Sequence, residues 1–189
     1  MTDLTRLSAR DALIEAAFAI FSRDPSASLS EVADKAGVGR ATLHRHFKGR
    51  DDLIIALAKT AIAEMDAAAE AACEAALSET DALRRCFDAL IPLGDRQGFL
   101  AREAIENHPD IKTEYARQLR ETEEMVEAAK AEGAFDPAIP NTWIVQAYDS
   151  LLYAAWESVS AGALTHAQAS ELAWRTLTSG LSARLKGDD

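Results

Sequence analysis

The chain has 189 residues, 48% of them hydrophobic, which is enough for one large or two small packed domains and excludes a disordered polypeptide. A net charge of −11 argues against nucleic-acid binding over the whole surface. The charge is uneven, however: residues 1–50 carry eight Lys/Arg against six Asp/Glu, and residues 51–189 carry twelve against twenty-five, so contact with a polyanion is confined to the N-terminal part.

Strand signals are almost absent, since there is no Asn-Gly or Asp-Gly turn and no sustained alternation, while helical periodicity is nearly continuous. The fold expected is all-α, with about nine helices: a three-helix helix-turn-helix unit over residues 1–50 and a helical body over 51–189. Residues 1–7 are polar, and the longest apolar runs, Ala16–Phe21 and Leu53–Ala58, are too short to span a bilayer. The expectation is a soluble, cytoplasmic protein with no membrane association. Cys73 and Cys86 lie inside helical patterns and form no CxxC pair or ligand set with His, so two buried thiols are expected, a redox pair being the alternative. Neither a metal site nor a cofactor motif is indicated.

In chain order, helix 1 runs from about Ser8 to Arg23, with Leu13, Ala17, Ile20 and Phe21 on one face. Pro25 disfavours helix at the residue before it and closes that element. Helix 2 opens at Ser28, where Glu31 completes a Ser-x-x-Glu capping box, turns Val32, Ala33 and Ala36 inward, and stops at Gly37. Helix 3, Arg40 to Phe47, is short and basic. A long, Ala-rich helix 4 spans about Asp51 to Leu77, helix 5 about Asp81 to Leu93 and helix 6 about Arg96 to Asn107. Helix 7 starts near Pro109, a good first-turn residue, and reaches about Glu132. A loop over 133–140 with two prolines leads to helix 8, Asn141 to Ala161, and helix 9 runs from Thr165 to about Leu185.

The second and third helices carry the chemistry. Leu43 and Phe47, four residues apart, share the face that packs on helices 1 and 2. Ala41, Thr42, His44 and Arg45 then fall on the opposite arc, flanked by Arg40 and His46. Arg pairs bidentately with a guanine edge, His and Thr bond to bases or phosphate, and a small Ala41 admits close backbone approach. Lys48 and Arg50, just beyond, stand where they would neutralise phosphate, and Ser28 exposes amide groups at a helix start to a phosphate oxygen. His44 and His46, two residues apart on a helix, diverge and cannot chelate one ion.

Residues 10–55 resemble the N-terminal DNA-binding domain of the TetR family of bacterial transcriptional regulators. The resemblance is carried by Phe21, Val32-Ala33, Ala36-Gly37-Val38, Thr42-Leu43, His46-Phe47 and Arg50 at that family's spacing. Three positions depart from it: His44 stands where tyrosine is frequent, Gly39 replaces a capping serine, and the link between helices 1 and 2 lacks its usual glycine. The resemblance implies a homodimeric repressor that binds a palindromic operator on double-stranded DNA and is released by a small-molecule effector. It further implies a pocket within helices 4–7, a dimer interface on helices 8 and 9, and no enzymatic activity.

The body's own residues agree with this in part. Helix 8 is apolar around much of its girth (Trp143, Ile144, Ala147, Tyr148, Leu151, Leu152, Ala155, Trp156, Val159), and helix 9 adds Leu172, Ala173, Thr176, Leu177, Gly180 and Leu181. A helix with more than one apolar stripe needs more than one partner, either a second subunit or other parts of a monomer core. Candidate pocket residues are Phe87, Phe99, Glu103, Glu106, Tyr115, Trp143, Tyr148 and Trp156, although a single aromatic at helical spacing is more often core than ligand wall. Glu103 or Asp149 facing inward would favour a cationic ligand, because a buried carboxylate needs a partner; on the surface each would form salt bridges instead. A DNA-binding regulator or adaptor without a ligand is the alternative. A small helical enzyme finds no support in a Ser/His/Asp order, a phosphate loop, HExxH or paired carboxylates.

Overall fold

Ser8 starts the first helix, α1 (Ala9–Phe21), by accepting the Asp11 N–H at 3.2 Å. The computed structural model describes residues 8–102, 108–109 and 111–181, which form nine α-helices and one 3-10 turn. Asp24 then folds the chain back, its Oδ1 accepting the Ser26 N–H at 2.9 Å. The capping box at Ser28 and Glu31 opens α2 (Leu29–Lys35), and α3 (Arg40–His46) follows after a four-residue turn. Leu13, Ala17 and Phe21 of α1 meet Val32 and Ala33 of α2 and Leu43 and Phe47 around α3, all buried. Burying each of the larger side chains contributes about 1.5–3 kcal/mol, enough to hold three short helices together.

From this head α4 (Arg50–Cys73) runs out for roughly 36 Å at 1.5 Å per residue. Then come α5 (Glu79–Leu90), the 3-10 turn Ile91–Leu93, α6 (Gly94–Arg102), α7 (Lys112–Ala131), α8 (Asn141–Ser160) and α9 (His166–Leu181). In the body, α8 packs against α6, α7 and α9, while α4 lies along α5, α6 and α7. Phe87 fills the centre, with its ring edge-on to Tyr148 at 4.9 Å and to Trp174 at 6.2 Å. Among the described residues no helix is long and apolar enough to cross a membrane.

Several boundaries differ from those read in the sequence, each for a local reason. Helix α4 stops at Cys73 rather than Leu77, because Ser78 caps α5 by accepting the Asp81 N–H at 3.1 Å and leaves Leu77 90% exposed. Helix α6 begins at Gly94, since the 3-10 turn at Pro92 passes straight into it. Pro109 does not open α7: it sits in a turn whose His108 carbonyl accepts the Lys112 N–H at 2.9 Å, and the helix begins at Lys112.

Two features tie the layers together. Gly94 and Gly98 let α6 lie directly on α8; a Cβ on Gly98 would stand 2.6 Å from the Tyr153 ring, and one on Gly94 would collide with Trp156. Arg96, between them and buried, bonds Glu15 of α1 at 2.5 Å, Glu64 of α4 at 3.0 Å and its neighbour Asp95 at 2.5 Å. Its guanidinium also covers the Phe18 ring at 4.4 Å. The two cysteines meet where α4 ends against α5, Sγ to Sγ 3.1 Å; Cys86 is buried, Cys73 half-buried, and burial pushes the Cys86 thiol up to about 12.

Candidate nucleic-acid interface and cavity

The turn between α2 and α3 rests on Gly37, whose φ of +67° is the left-handed conformation that a side chain resists. There the Val38 N–H returns to the Ala33 carbonyl at 3.0 Å and the Gly37 N–H to Asp34 at 3.1 Å, closing α2 and aiming α3 across it. Leu43 and Phe47 are buried, whereas Arg40, Ala41, His44 and Arg45 are exposed and Thr42 and His46 half-buried. The hydrophobic clamp thus faces inward and the basic arc outward. Gly39 makes no side-chain cap, and α3 carries no acidic residue in its first turn.

Beside the arc, Ser28, Leu29 and Ser30 at the start of α2 and Arg40, Leu43 and His44 of α3 line a cleft of about 280 Å³. The Ser28 hydroxyl and amide are both engaged by Glu31, at 2.8 and 2.7 Å. Ser30, which the sequence did not single out, lines the same cleft with a buried hydroxyl that has no hydrogen-bond partner. Lys48 is exposed, and its N–H donates to Asp52 at 2.9 Å across the start of α4.

Arg50 behaves differently from its neighbours. Its guanidinium turns back into the α1–α2 loop, donating to the Ala27 carbonyl at 2.6 Å and to the Pro25 carbonyl, and it lies 4.4 Å over the Phe21 ring. It staples the loop that has no glycine, where the sequence reading set it against phosphate. That role has no sequence signature, because it depends on two carbonyls about twenty-five residues away in the chain.

Of the body residues expected to meet a ligand, Tyr115 is brought to a cavity of about 630 Å³ between α6, α7 and α8. Gln97, Gly98, Leu119, Val145, Gln146, Asp149, Ser150 and Tyr153 complete its walls. Phe87, Phe99 and Tyr148 are instead fully packed core, the Tyr148 hydroxyl reaching the Leu83 carbonyl at 3.4 Å. Trp156 packs on Gly94 and Tyr153, and Trp143 is 59% exposed at the start of α8; neither lines the cavity. Glu103 and Glu106 lie outside the described residues. Asp149 is the group that sequence reasoning left between two readings: it faces the cavity with no salt bridge to a described residue, and burial pushes its carboxyl up to about 7.

One stripe of α8 (Ile144, Tyr148, Leu152, Ala155) is buried, and a second (Ala147, Leu151, Ala154, Ser158) is left partly or wholly exposed beside Leu172 and Thr176 of α9. Leu151, Ala154, Ser158, Leu172 and Thr176 line a shallow groove of about 140 Å³ on that outer face. Among the described residues no cluster of His, Cys, Asp and Glu is placed to hold a metal ion.

Comparison with known proteins points the same way. Residues 13–57 match the profile of the bacterial regulatory proteins of the tetR family. Over 173 residues the chain is 30% identical to the HTH-type transcriptional repressor LfrR of Mycolicibacterium smegmatis, covering 91% of this chain and 89% of that one. The crystal structure of the TetR-like regulator LfrR from Mycobacterium smegmatis in complex with proflavine superimposes with a TM-score of 0.73, at 30% identity over 92% of this chain and 96% of that one. The ketosteroid transcriptional regulator KstR2 of Mycobacterium tuberculosis shares the fold, with a TM-score of 0.74 at 18% identity over 95% and 98% of the two chains.

Proposed function

The chain belongs to the TetR family of bacterial regulatory proteins, and from that membership we propose that it is a ligand-responsive transcriptional repressor that binds a palindromic operator as a homodimer and is released by a small-molecule effector. The observation that carries this reading is the division of α3: Leu43 and Phe47 are buried while Arg40, Ala41, His44 and Arg45 are exposed. A helix held this way can enter the major groove, with Arg40 and Arg45 pairing with guanine edges or phosphate. Thr42, His44 and His46 would add contacts from the same helix, while Lys48 and the cleft at Ser28 would take phosphate.

Two such heads related by a twofold axis read half-sites about 34–36 Å apart. The outer stripe of α8, with Leu172 and Thr176 of α9, supplies an apolar surface suited to the second subunit. The effector would occupy the cavity between α6, α7 and α8, a reading supported by the proflavine complex of LfrR. Gln97 and Gly98 of its wall adjoin Arg96, which holds Glu15 in the head and Glu64 in α4, so displacement of α6 has a route to both. A ligand shifts this equilibrium only by binding the DNA-incompetent arrangement more tightly.

A gel shift on the gene's own upstream region tests the DNA half, with Arg40→Ala and Arg45→Ala each expected to weaken the specific complex. Insensitivity to both substitutions would overturn the assignment of α3. Release of that complex by a compound that also raises the thermal midpoint tests the effector half. If no compound does both, the protein is a regulator without a ligand.

A further inference from the structure

The cavity between α6, α7 and α8 contains a carboxylate that no described residue neutralises. Asp149 lies on its α8 wall, and its pKa is raised by burial with no charged neighbour contributing. No Lys, Arg or His is among the described residues that line the cavity. Among the described residues, Arg96 of α6 holds Asp95, Arg117 of α7 holds Asp66, Glu114 and Glu121, and Glu171 of α9 meets Arg84. Asp149 is half-buried, and an enclosed carboxylate without a partner is costly to keep ionised, so a ligand carrying the opposite charge would complete the site.

The rest of the lining limits the shape of that ligand. Tyr115 of α7 and Tyr153 of α8 present aromatic rings, Leu119 and Val145 add apolar surface, and the remaining polar groups are uncharged. The Tyr153 ring is seated against Gly98, where any side chain would displace it. A cavity of about 630 Å³ falls within the range that encloses a drug-sized molecule. A flat cation meets both requirements at once, pairing its charge with the carboxylate and its ring faces with tyrosine. A neutral molecule would leave Asp149 unpaired, and an anion would be repelled.

We propose that this cavity takes a planar aromatic cation whose positive end pairs with the Asp149 carboxylate, Tyr115 and Tyr153 supplying its aromatic wall. The proposal rests on the effector reading above and names the chemical class of the effector. It carries a proton linkage: the cation needs Asp149 ionised, so its affinity falls roughly tenfold per pH unit below 7 and binding there releases a proton.

The test is a fluorescence titration of the full-length protein with 9-aminoacridine, a cation at neutral pH, and with acridine, the same ring system uncharged. At pH 8 the protein is expected to bind 9-aminoacridine about tenfold or more tighter than acridine. Asp149→Asn preserves shape and removes the charge; it should weaken the cation about tenfold while moving acridine by less than about threefold. A melting curve confirms that the variant folds. Equal affinity for the two probes, failure of both to bind, or cation binding unchanged in Asp149→Asn would overturn the proposal. Operator release is scored separately. If a compound of another class releases DNA while the cation does not bind, this inference fails and the regulatory reading stands. Asp149-dependent cation binding that leaves the DNA complex intact has the reverse meaning.

Discussion

Arg96 on α6 donates to Glu15 on α1 at 2.5 Å, a bond that joins the body to the DNA-reading head across eighty-one residues of sequence. Burial opposes the Arg96 charge, but its bonds to Glu15, Asp95 and Glu64 outweigh that and raise its pKa further. Removing one partner of a buried ion network strands the others. Arg96→Ala is therefore expected to cost about 3–5 kcal/mol in urea unfolding, because Asp95 remains buried without its cation. Glu15 is more exposed, and Glu15→Gln should cost under about 1 kcal/mol. If this bond relays effector occupancy, Glu15→Gln will keep operator binding yet require more effector to release DNA.

At the far end of the body, Glu132 after α7 accepts from the Thr80 hydroxyl at 2.6 Å, the Thr80 N–H at 2.8 Å and the Glu79 N–H at 2.9 Å, capping α5 from another helix. These bonds, the Thr80 hydroxyl foremost, lower its pKa to about 2. A depressed carboxyl contributes stability above its unfolded value near 4.5, and that contribution is lost as pH falls toward 2. Glu132→Gln should lower the melting temperature at pH 7, and the gap between variant and parent should close in melts run down to pH 2.

Asp149 has the opposite sign. Its folded pKa of about 7 lies above the ordinary 3.8, so the native state holds a proton that the unfolded chain gives up between those values. Its burden on stability is absent below about pH 4, grows as pH rises and levels off above 7. Asp149→Asn removes it, and without ligand the variant should be more stable than the parent by roughly 2–4 kcal/mol at pH 8. Melting curves across pH 4–8 should show the two converging at the acid end; a constant difference would mean that Asp149 is already paired.

Local sequence signals predicted the head well and the cavity poorly, for physical reasons. The Ser28–Glu31 capping box, the stop at Gly37 and the Leu43/Phe47 pair all act within one or two helical turns, and each is present as read. The cavity depends on which faces of α6, α7 and α8 converge, which periodicity leaves open. Phe87 and Tyr148 are as aromatic as Tyr115 and Tyr153, yet the first two pack on each other while the second two line open space. What separates them is the close crossing of α6 and α8 at Gly94 and Gly98. A glycine pair four residues apart hints at such a crossing but does not say which rings it seats. The Arg96 network has no local sequence signal for the same reason, its carboxylates lying on three different elements.

Arg45 and Arg50 stand five residues apart and carry the same charge, yet their surroundings assign them opposite sensitivities. Arg45 is exposed on the outer arc of α3, so Arg45→Ala should leave the melting temperature unchanged. Its loss should appear in DNA binding instead, as about 1–3 kcal/mol at one base position if it reads a base, or as a salt slope reduced by about one if it meets phosphate. Arg50 donates to the Ala27 and Pro25 carbonyls and covers Phe21, holding the α1–α2 loop in place. Arg50→Ala should lower stability by about 1–3 kcal/mol through those charged hydrogen bonds and the cation–π contact. Any effect on DNA should follow the fraction unfolded and vanish when binding is measured well below the melting point. A full-strength fold with lost DNA affinity in Arg50→Ala would instead place its guanidinium on the phosphate backbone.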